Sequence, residues 1–122
     1  MIIQNTGCVT VAHMSLVWKF RRFLMGKYGT EYTFDRLFMS YTGGYDWTVV
    51  AAYRRSDGAF AVVSDGGCSC NGYEEEEVLE NTDWFYDKAE MYRRFDRAID
   101  RDYNLSDADK VEAKAEIRKA AI

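Results

Sequence analysis

A chain of 122 residues, 48% of them apolar and 16% aromatic, can bury a sizeable core, which excludes disorder of the chain as a whole. We expect one domain over residues 1–122, with no secretory signal and no membrane span, because the apolar run at residues 8–20 is short and interrupted by polar residues. The net charge of −4 is uneven, since residues 1–55 carry seven bases and three acids, whereas residues 56–122 carry nine bases and seventeen acids.

The first third of the chain predicts a strand, a helix and a second strand. Residues 9–13 favour a short strand. Ser15 is suited to cap a helix that runs to about Met25, where two glycines end it. The apolar residues of this stretch would share one side of the helix: Leu16, Val17, Phe20, Phe23 and Leu24. A strand over the same stretch remains the alternative, and residues 36–41 predict a further strand before a Gly-Gly turn.

The clearest prediction is an antiparallel hairpin over residues 45–64. Aromatic and β-branched residues dominate residues 45–55, as is typical of a strand. Asp57-Gly58 is a hairpin turn sequence, and residues 59–64 form the partner strand. Alternation places four residues on one face of the first strand: Trp47, Val49, Ala51 and Tyr53.

The last third predicts two helices. Asn81 or Thr82 can cap the first, whose apolar stripe would face the sheet and consists of Phe85, Ala89, Tyr92, Phe95 and Ile99. Residues 102–105 end it. Ser106, with Asp109 three residues later, resembles a capping box for a last helix over residues 107–120. That helix has a thin apolar face: Val111, Ala115, Ile117 and Ala120.

Together these elements predict an α+β fold. We expect a small antiparallel sheet of two to four strands, including the hairpin at residues 45–64, packed by helices and followed by a helical C-terminal third.

Residues 64–73 join three glycines to Cys68 and Cys70 and suggest either a turn or a site. With Cys8 and His13, these cysteines make the four-ligand set that structural zinc prefers. Only one residue separates Cys68 from Cys70, whereas zinc-binding cysteine pairs are usually separated by about two. We therefore expect no metal and no other cofactor. A Cys/His zinc-stabilised regulatory or virion-associated domain remains the alternative. Because C-x-C pairs are poor disulfide partners, we also expect free cysteines and a reducing cytosol.

Three other kinds of chemistry are weakly supported. A reactive thiolate needs nearby positive charge, whereas carboxylates surround Cys68 and Cys70, so we expect no catalytic residue and no enzyme. The alternating polar residues Asp100, Asp102, Asn104 and Ser106 resemble a calcium loop but lack its glycine and its final glutamate. Four bases near the start, Lys19, Arg21, Arg22 and Lys27, are better explained as solvated charges in an acidic chain than as a nucleic-acid site.

The acidic block is the strongest candidate for function. Residues 57–90 contain ten acids and one base, Lys88. Such a field attracts basic partners and repels nucleic acid. The candidate partner-binding residues are Glu74, Glu75, Glu76, Glu77, Glu80, Asp83 and Asp87. The alternative is that these acids are solvated and favour the start of a helix.

Residues 45–77 resemble part of a group of small uncharacterised proteins encoded by phages and prophages, especially of actinobacteria. The shared pattern is Asp46-Trp47-Thr48-Val49, then Tyr53-Arg54, the turn at Asp57-Gly58, and Ser64-Asp65-Gly66-Gly67-Cys68-Ser69-Cys70 before the acidic run. This resemblance implies a phage accessory protein that acts in the cytoplasm of a bacterial host. Small acidic phage proteins include inhibitors of host defence, among them anti-CRISPR proteins, and by that analogy alone the resemblance suggests such a role.

The sequence therefore predicts a non-enzymatic inhibitor of a host defence nucleoprotein, of the anti-CRISPR type. Its acidic surface would mimic nucleic acid and occupy a basic, nucleic-acid-binding surface on a host protein such as a CRISPR effector. No membrane and no direct contact with nucleic acid are expected.

Overall fold

A computed structural model describes residues 9–12, 21–25 and 31–122, and the side chains from residue 32 onward. Its five strands precede its three helices. The strands are β1 (Val9–Ala12), β2 (Arg21–Met25), β3 (Glu31–Gly43), β4 (Asp46–Arg55) and β5 (Phe60–Cys68). The helices are α1 (Glu75–Glu80), α2 (Lys88–Arg101) and α3 (Asp107–Ala120). The α+β class and the helical C-terminal third are confirmed, although the sheet of the described residues has five strands and not two to four.

The sheet is antiparallel throughout and is organised around the long strand β3. One edge of β3 pairs with β1 near its end and with β2 near its start, while the other edge pairs with β4, which in turn pairs with β5. The strand predicted at residues 9–13 is therefore confirmed for residues 9–12; His13 lies outside the described residues.

The helix predicted up to Met25 is wrong over its described part, because Arg21–Met25 is strand β2. The first half of β3 leaves backbone groups open on one edge, and β2 fills that edge from Arg21, opposite Asp35, to Met25, opposite Glu31. Ladder pairing of this kind overrides a weak local preference for helix. The remainder of the predicted helix lies outside the described residues.

The hairpin at residues 45–64 is confirmed. Strands β4 and β5 pair from Asp46 opposite Cys68 to Arg54 opposite Phe60. The turn is closed by Arg55, whose guanidinium donates to both oxygens of Asp57 at 2.8 Å. These hydrogen bonds lower the pKa of Asp57. Gly58 adopts φ = +93°, a conformation that glycine reaches without a steric penalty.

Both faces of the sheet are covered, which creates two cores. The face that carries Trp47, Val49, Ala51 and Tyr53 packs against Leu79 of α1, as the alternation in β4 predicts. The opposite face packs against α2 and α3. Its buried side chains come from the sheet, from both helices and from the residues that flank α3: Leu37, Phe38, Val50, Ala52, Phe60, Met91, Phe95, Ile99, Leu105, Ala113, Ile117 and Ala121.

A β-bulge in β3 decides which of its side chains enter each core. Arg36 lies opposite Tyr53 and Phe38 opposite Ala52, so Leu37 is an extra residue in the strand. Leu37 and Phe38 therefore both pack on the α2–α3 face.

The helix predicted to be capped by Asn81 or Thr82 is capped by Asp87, five or six residues later. Asn81 instead ends α1, and Asp87 caps α2 by accepting a hydrogen bond from the amide of Ala89 at 3.0 Å. The segment between the two helices is extended, since the backbone of Phe85 bonds that of Phe60 in both directions, at 2.6 and 3.0 Å. A residue that pairs with a strand in this way cannot also belong to a helix.

The apolar stripes of the last two helices are confirmed in part. In α2 the buried residues are Met91, Phe95 and Ile99, with Tyr92 half-buried and Ala89 exposed. In α3, Ile117 is buried, Val111 is 70% exposed, and Ala113 takes the core position expected of Ala115. The predicted cap is present, because the Ser106 hydroxyl accepts a hydrogen bond from the amide of Asp109 at 3.1 Å. None of the described helices has the length and apolar character needed to cross a membrane.

Candidate interaction surface

The glutamate run, residues 74–77, contains one buried side chain and three exposed ones. Residues 75–80 form α1, a short helix anchored by Leu79, which is fully buried between the helix and the sheet. Glu75 is only 9% exposed. The remaining acids on and beside the helix are exposed and are named here the acidic surface: Glu74, Glu76, Glu77, Glu80 and Asp83.

Glu75 is therefore not a surface residue, although its prediction as a partner-binding residue and the alternative of a solvated acid both require an exposed side chain. Its carboxylate accepts two hydrogen bonds from the guanidinium of Arg36, one of them 2.6 Å long from Nη2 to Oε1. The hydroxyl of Tyr53 also donates to it at 2.8 Å. A buried carboxylate needs such partners because water no longer solvates it.

This group extends to a second tyrosine. The hydroxyls of Tyr53 and Tyr73 lie 2.7 Å apart, so Tyr73 joins the loop before α1 to the last part of β4. Burial raises the pKa of Tyr53, and it raises that of Tyr73 from 10.0 to about 12. The hydrogen bonds to Glu75 raise the pKa of Arg36. The four side chains form a largely buried polar clamp that fixes α1 on the sheet.

The clamp predicts a loss of stability at high pH. Both tyrosine pKa values are raised in the folded state, whereas an unfolded tyrosine ionises near pH 10. The stabilisation is therefore complete below about pH 10 and declines as the pH rises through about 12. We expect the urea midpoint of the wild-type protein to fall between about pH 10 and about pH 12, and the midpoint of Tyr73→Phe to fall less steeply over the same range. Tyr45→Phe is the matched control because its ring is 83% exposed. An equally steep fall in Tyr73→Phe would contradict this assignment.

Sequence reasoning did not identify Arg36, Tyr53 or Tyr73 as partners of the glutamate run. The available signal was Arg36 itself, a charged residue that opens the strand predicted at residues 36–41 and directly precedes the apolar Leu37. A charge in such a position is paired when it is buried. The identity of its partner, 39 residues away, depends on tertiary structure.

Asp87 is also tied to local structure. It caps α2, and one of its oxygens lies 3.8 Å from the guanidinium of Arg93. Its role at the helix start matches the alternative explanation of the acids, that they favour a helix N-terminus. Glu74 precedes α1 without a side-chain cap bond, whereas Glu77 lies in the first turn of α1, where the same explanation applies.

Cys68 and Cys70 are joined by a disulfide, contrary to the expectation of free thiols. The chain turns back after β5, which brings their Cα atoms to 5.4 Å, within reach of a disulfide bond. The turn is held by Trp47, whose indole nitrogen donates to the carbonyl oxygens of Cys68 and Asn71 at 3.0 and 2.9 Å.

The disulfide bears on the alternative zinc site. Zinc binds thiolates, and sulfurs joined in a disulfide cannot supply them. Cys8 and His13, the other two members of the proposed set, lie outside the described residues. Within the described ranges, no group of three or more His, Cys, Asp and Glu side chains is arranged to hold a metal ion.

The polar residues at positions 100–106 serve the turn between α2 and α3. The carboxylate of Asp102 is buried, and its Oδ1 accepts hydrogen bonds from the Thr48 hydroxyl at 2.8 Å and the Asn104 amide at 3.0 Å. Asp100 pairs with Lys114 at 2.7 Å, and Ser106 caps α3. The explanation of this segment as a polar turn is thus consistent with its contacts.

A groove runs between the acidic surface and strand β5. It has a volume of about 570 Å³, and its walls include Glu74, Glu77 and Val78 on one side and residues 62–65 on the other. The acidic surface is therefore adjacent to an accessible strand edge.

No protein-family model, curated protein or solved structure matches this chain. The resemblance of residues 45–77 to phage-encoded proteins therefore remains a prediction, and the proposals below rest on the residues and their contacts.

Proposed function

We propose that this protein is a non-enzymatic phage accessory protein that inhibits a host defence nucleoprotein, of the anti-CRISPR type. In this proposal the acidic surface occupies a basic, nucleic-acid-binding surface of a host protein in the bacterial cytoplasm. The expected class of target is a CRISPR effector, which binds nucleic acid in a positively charged channel.

The observation that carries the proposal is the acidic surface on an anchored helix. Glu74, Glu77 and Glu80 are exposed, and their side chains have no cation within ion-pair distance in the part of the chain that the structure describes. The clamp at Glu75 holds α1 in place, so these charges are presented without the ordering cost that a disordered acidic tail would have. Fixed negative charge of this kind favours association with a basic surface over binding to nucleic acid.

The test uses charge reversal that spares the clamp. Glu74→Lys, Glu77→Lys and Glu80→Lys are combined, and the host proteins retained by wild type are compared with those retained by the variant. A retained nucleic-acid-binding protein should lose its DNA or RNA when wild type is added but keep it when the variant is added. Association should slow more than dissociation accelerates, because long-range charge mainly steers encounter.

The salt dependence of binding and a matched control variant test the proposal further. Charges are screened over about 8 Å at physiological ionic strength, so wild-type affinity should fall steeply as salt rises. Glu112→Lys changes an exposed glutamate on α3, which packs on the opposite face of the sheet, and it should bind as wild type does. Equal association rates and equal salt dependence in the triple variant and wild type would contradict the proposal.

A further inference from the structure

Strand β5 forms an open edge of the sheet. It pairs with β4 on one side, and no other strand in the described ranges pairs with its second side. Phe60 bonds Phe85 on this second side, so its N–H and C=O groups point away from β4. Because backbone direction alternates along a strand, the N–H and C=O groups of Val62, Ser64 and Gly66 point the same way.

Most of these outward groups at the two ends of β5 are already used. At the end of the strand, the amide of Cys68 donates to the side chain of Asn71, and its carbonyl accepts from the amide of Asn71. The amide of Gly66 donates to Oδ1 of Asp65 at 2.8 Å. The backbone groups of Val62 and Ser64 have no such partner among the described residues, and Ser64 is exposed.

Two grooves flank this open segment, and they carry opposite charge. On the α2 face, a cleft of about 210 Å³ is lined by Val62, Ser64, Arg94, Arg97 and Arg101. Arg94 is paired with Glu90, whereas Arg97 and Arg101 make no ion pair with any described residue. On the α1 face, the groove of about 570 Å³ is lined by the same strand together with Glu74 and Glu77.

We propose that the edge of β5 at Val62–Ser64 docks an extended segment of another protein as an added antiparallel strand. Its backbone would hydrogen-bond the free N–H and C=O groups of Val62 and Ser64. Its side chains would alternate between the two faces, with acidic residues directed toward Arg97 and Arg101 and basic residues toward Glu74 and Glu77. The proposal does not rest on the proposed function.

The charges disfavour a second copy of this chain as the occupant. Two β5 edges that pair antiparallel are related by a two-fold axis perpendicular to the sheet, so each face of one copy continues into the same face of the other. Arg97 and Arg101 would then face their own copies, as would Glu74 and Glu77. Juxtaposed like charges oppose such a pairing, while a strand of alternating acids and bases satisfies both faces.

The test uses a synthetic peptide in which glutamate and lysine alternate. The control peptide has the same composition arranged as a glutamate block followed by a lysine block, so it cannot direct all its acids to one face. We expect saturable binding of the alternating peptide, protection of the Val62 and Ser64 amides from hydrogen exchange, and weaker binding of the block peptide.

Two variants separate the backbone and the charge contributions. Ser64→Pro removes an outward N–H at a position where an edge strand tolerates proline, and should weaken binding about tenfold relative to Ser64→Val. Arg97→Gln combined with Arg101→Gln leaves the strand intact and should also weaken binding, so the proposal remains testable if the proline variant misfolds.

Three outcomes would overturn the proposal. The first is absence of saturable binding by the alternating peptide. The second is equal affinity for the two peptides together with equal affinity of Ser64→Pro and Ser64→Val. The third is a concentration-dependent dimer of the protein alone that Ser64→Pro abolishes, because the occupant of the edge would then be a second copy.

Discussion

Glu75→Ala is expected to lower the free energy of unfolding by about 3–5 kcal/mol, the cost of removing one partner of a buried ion pair. Arg36 would keep its charge at a site where its side chain is 15% exposed, and the Tyr53 hydroxyl would lose an acceptor at 2.8 Å. Urea denaturation, with the midpoint and slope fitted together, measures the loss.

Glu77→Ala is the matched control for this experiment. It removes an exposed glutamate from the same helix and should change the free energy of unfolding by less than about 0.5 kcal/mol. Glu75→Leu combined with Arg36→Met should recover much of the stability lost in Glu75→Ala, because an apolar pair leaves no charge buried without a partner. Similar midpoints for Glu75→Ala and Glu77→Ala would show that the clamp does not stabilise the fold.

Trp47→Ala is expected to lower the free energy of unfolding by a similar amount, about 3–5 kcal/mol. The indole is 3% exposed, stacks on the ring of Tyr41 with a centroid distance of 5.4 Å, and donates to two carbonyls of the Cys68–Asn71 turn. Truncation would leave a cavity in the α1-side core and leave those carbonyls without their donor.

Tyr45→Ala provides the comparison, since this neighbouring aromatic ring is 83% exposed and should contribute little. Hydrogen exchange at residues 68–71 should also accelerate in Trp47→Ala, because the turn loses the contact that holds it. Equal denaturation midpoints for the two variants would mean that the indole is not a core residue.

The clamp links the fold to the proposed function. Glu75 belongs to the same glutamate run as the acidic surface, but it stabilises the position of α1, whereas Glu74, Glu77 and Glu80 are free to meet a partner. A variant that reverses the whole run would therefore confuse loss of folding with loss of binding. A variant that keeps Glu75 tests binding alone, and an unfolding transition like that of the wild-type protein shows that the variant is still folded.

Local sequence determined the elements whose signals lie within a few residues. Alternation in β4, the Asp57-Gly58 turn and the Ser106 cap each depend on contacts between near neighbours, and each was predicted correctly. The α+β class follows from the same information, because period-two and helical patterns occupy different parts of the chain. The negative charge of residues 57–90 is likewise a property of the sequence alone.

Tertiary structure decided the features that depend on distant partners. Residues 21–25 form a strand because β3 offers an open edge, and α2 begins at Lys88 because Phe85 first pairs with Phe60. Glu75 is buried because Arg36, opposite Tyr53 in the ladder, lies on the α1 face and meets this carboxylate 39 residues away. Helix and strand propensities differ by less than about 1 kcal/mol per residue for most residue types, so strand pairing overrides them where the folded chain supplies the partner strand. Burial of a charged side chain likewise depends on the partner that the folded chain brings to it.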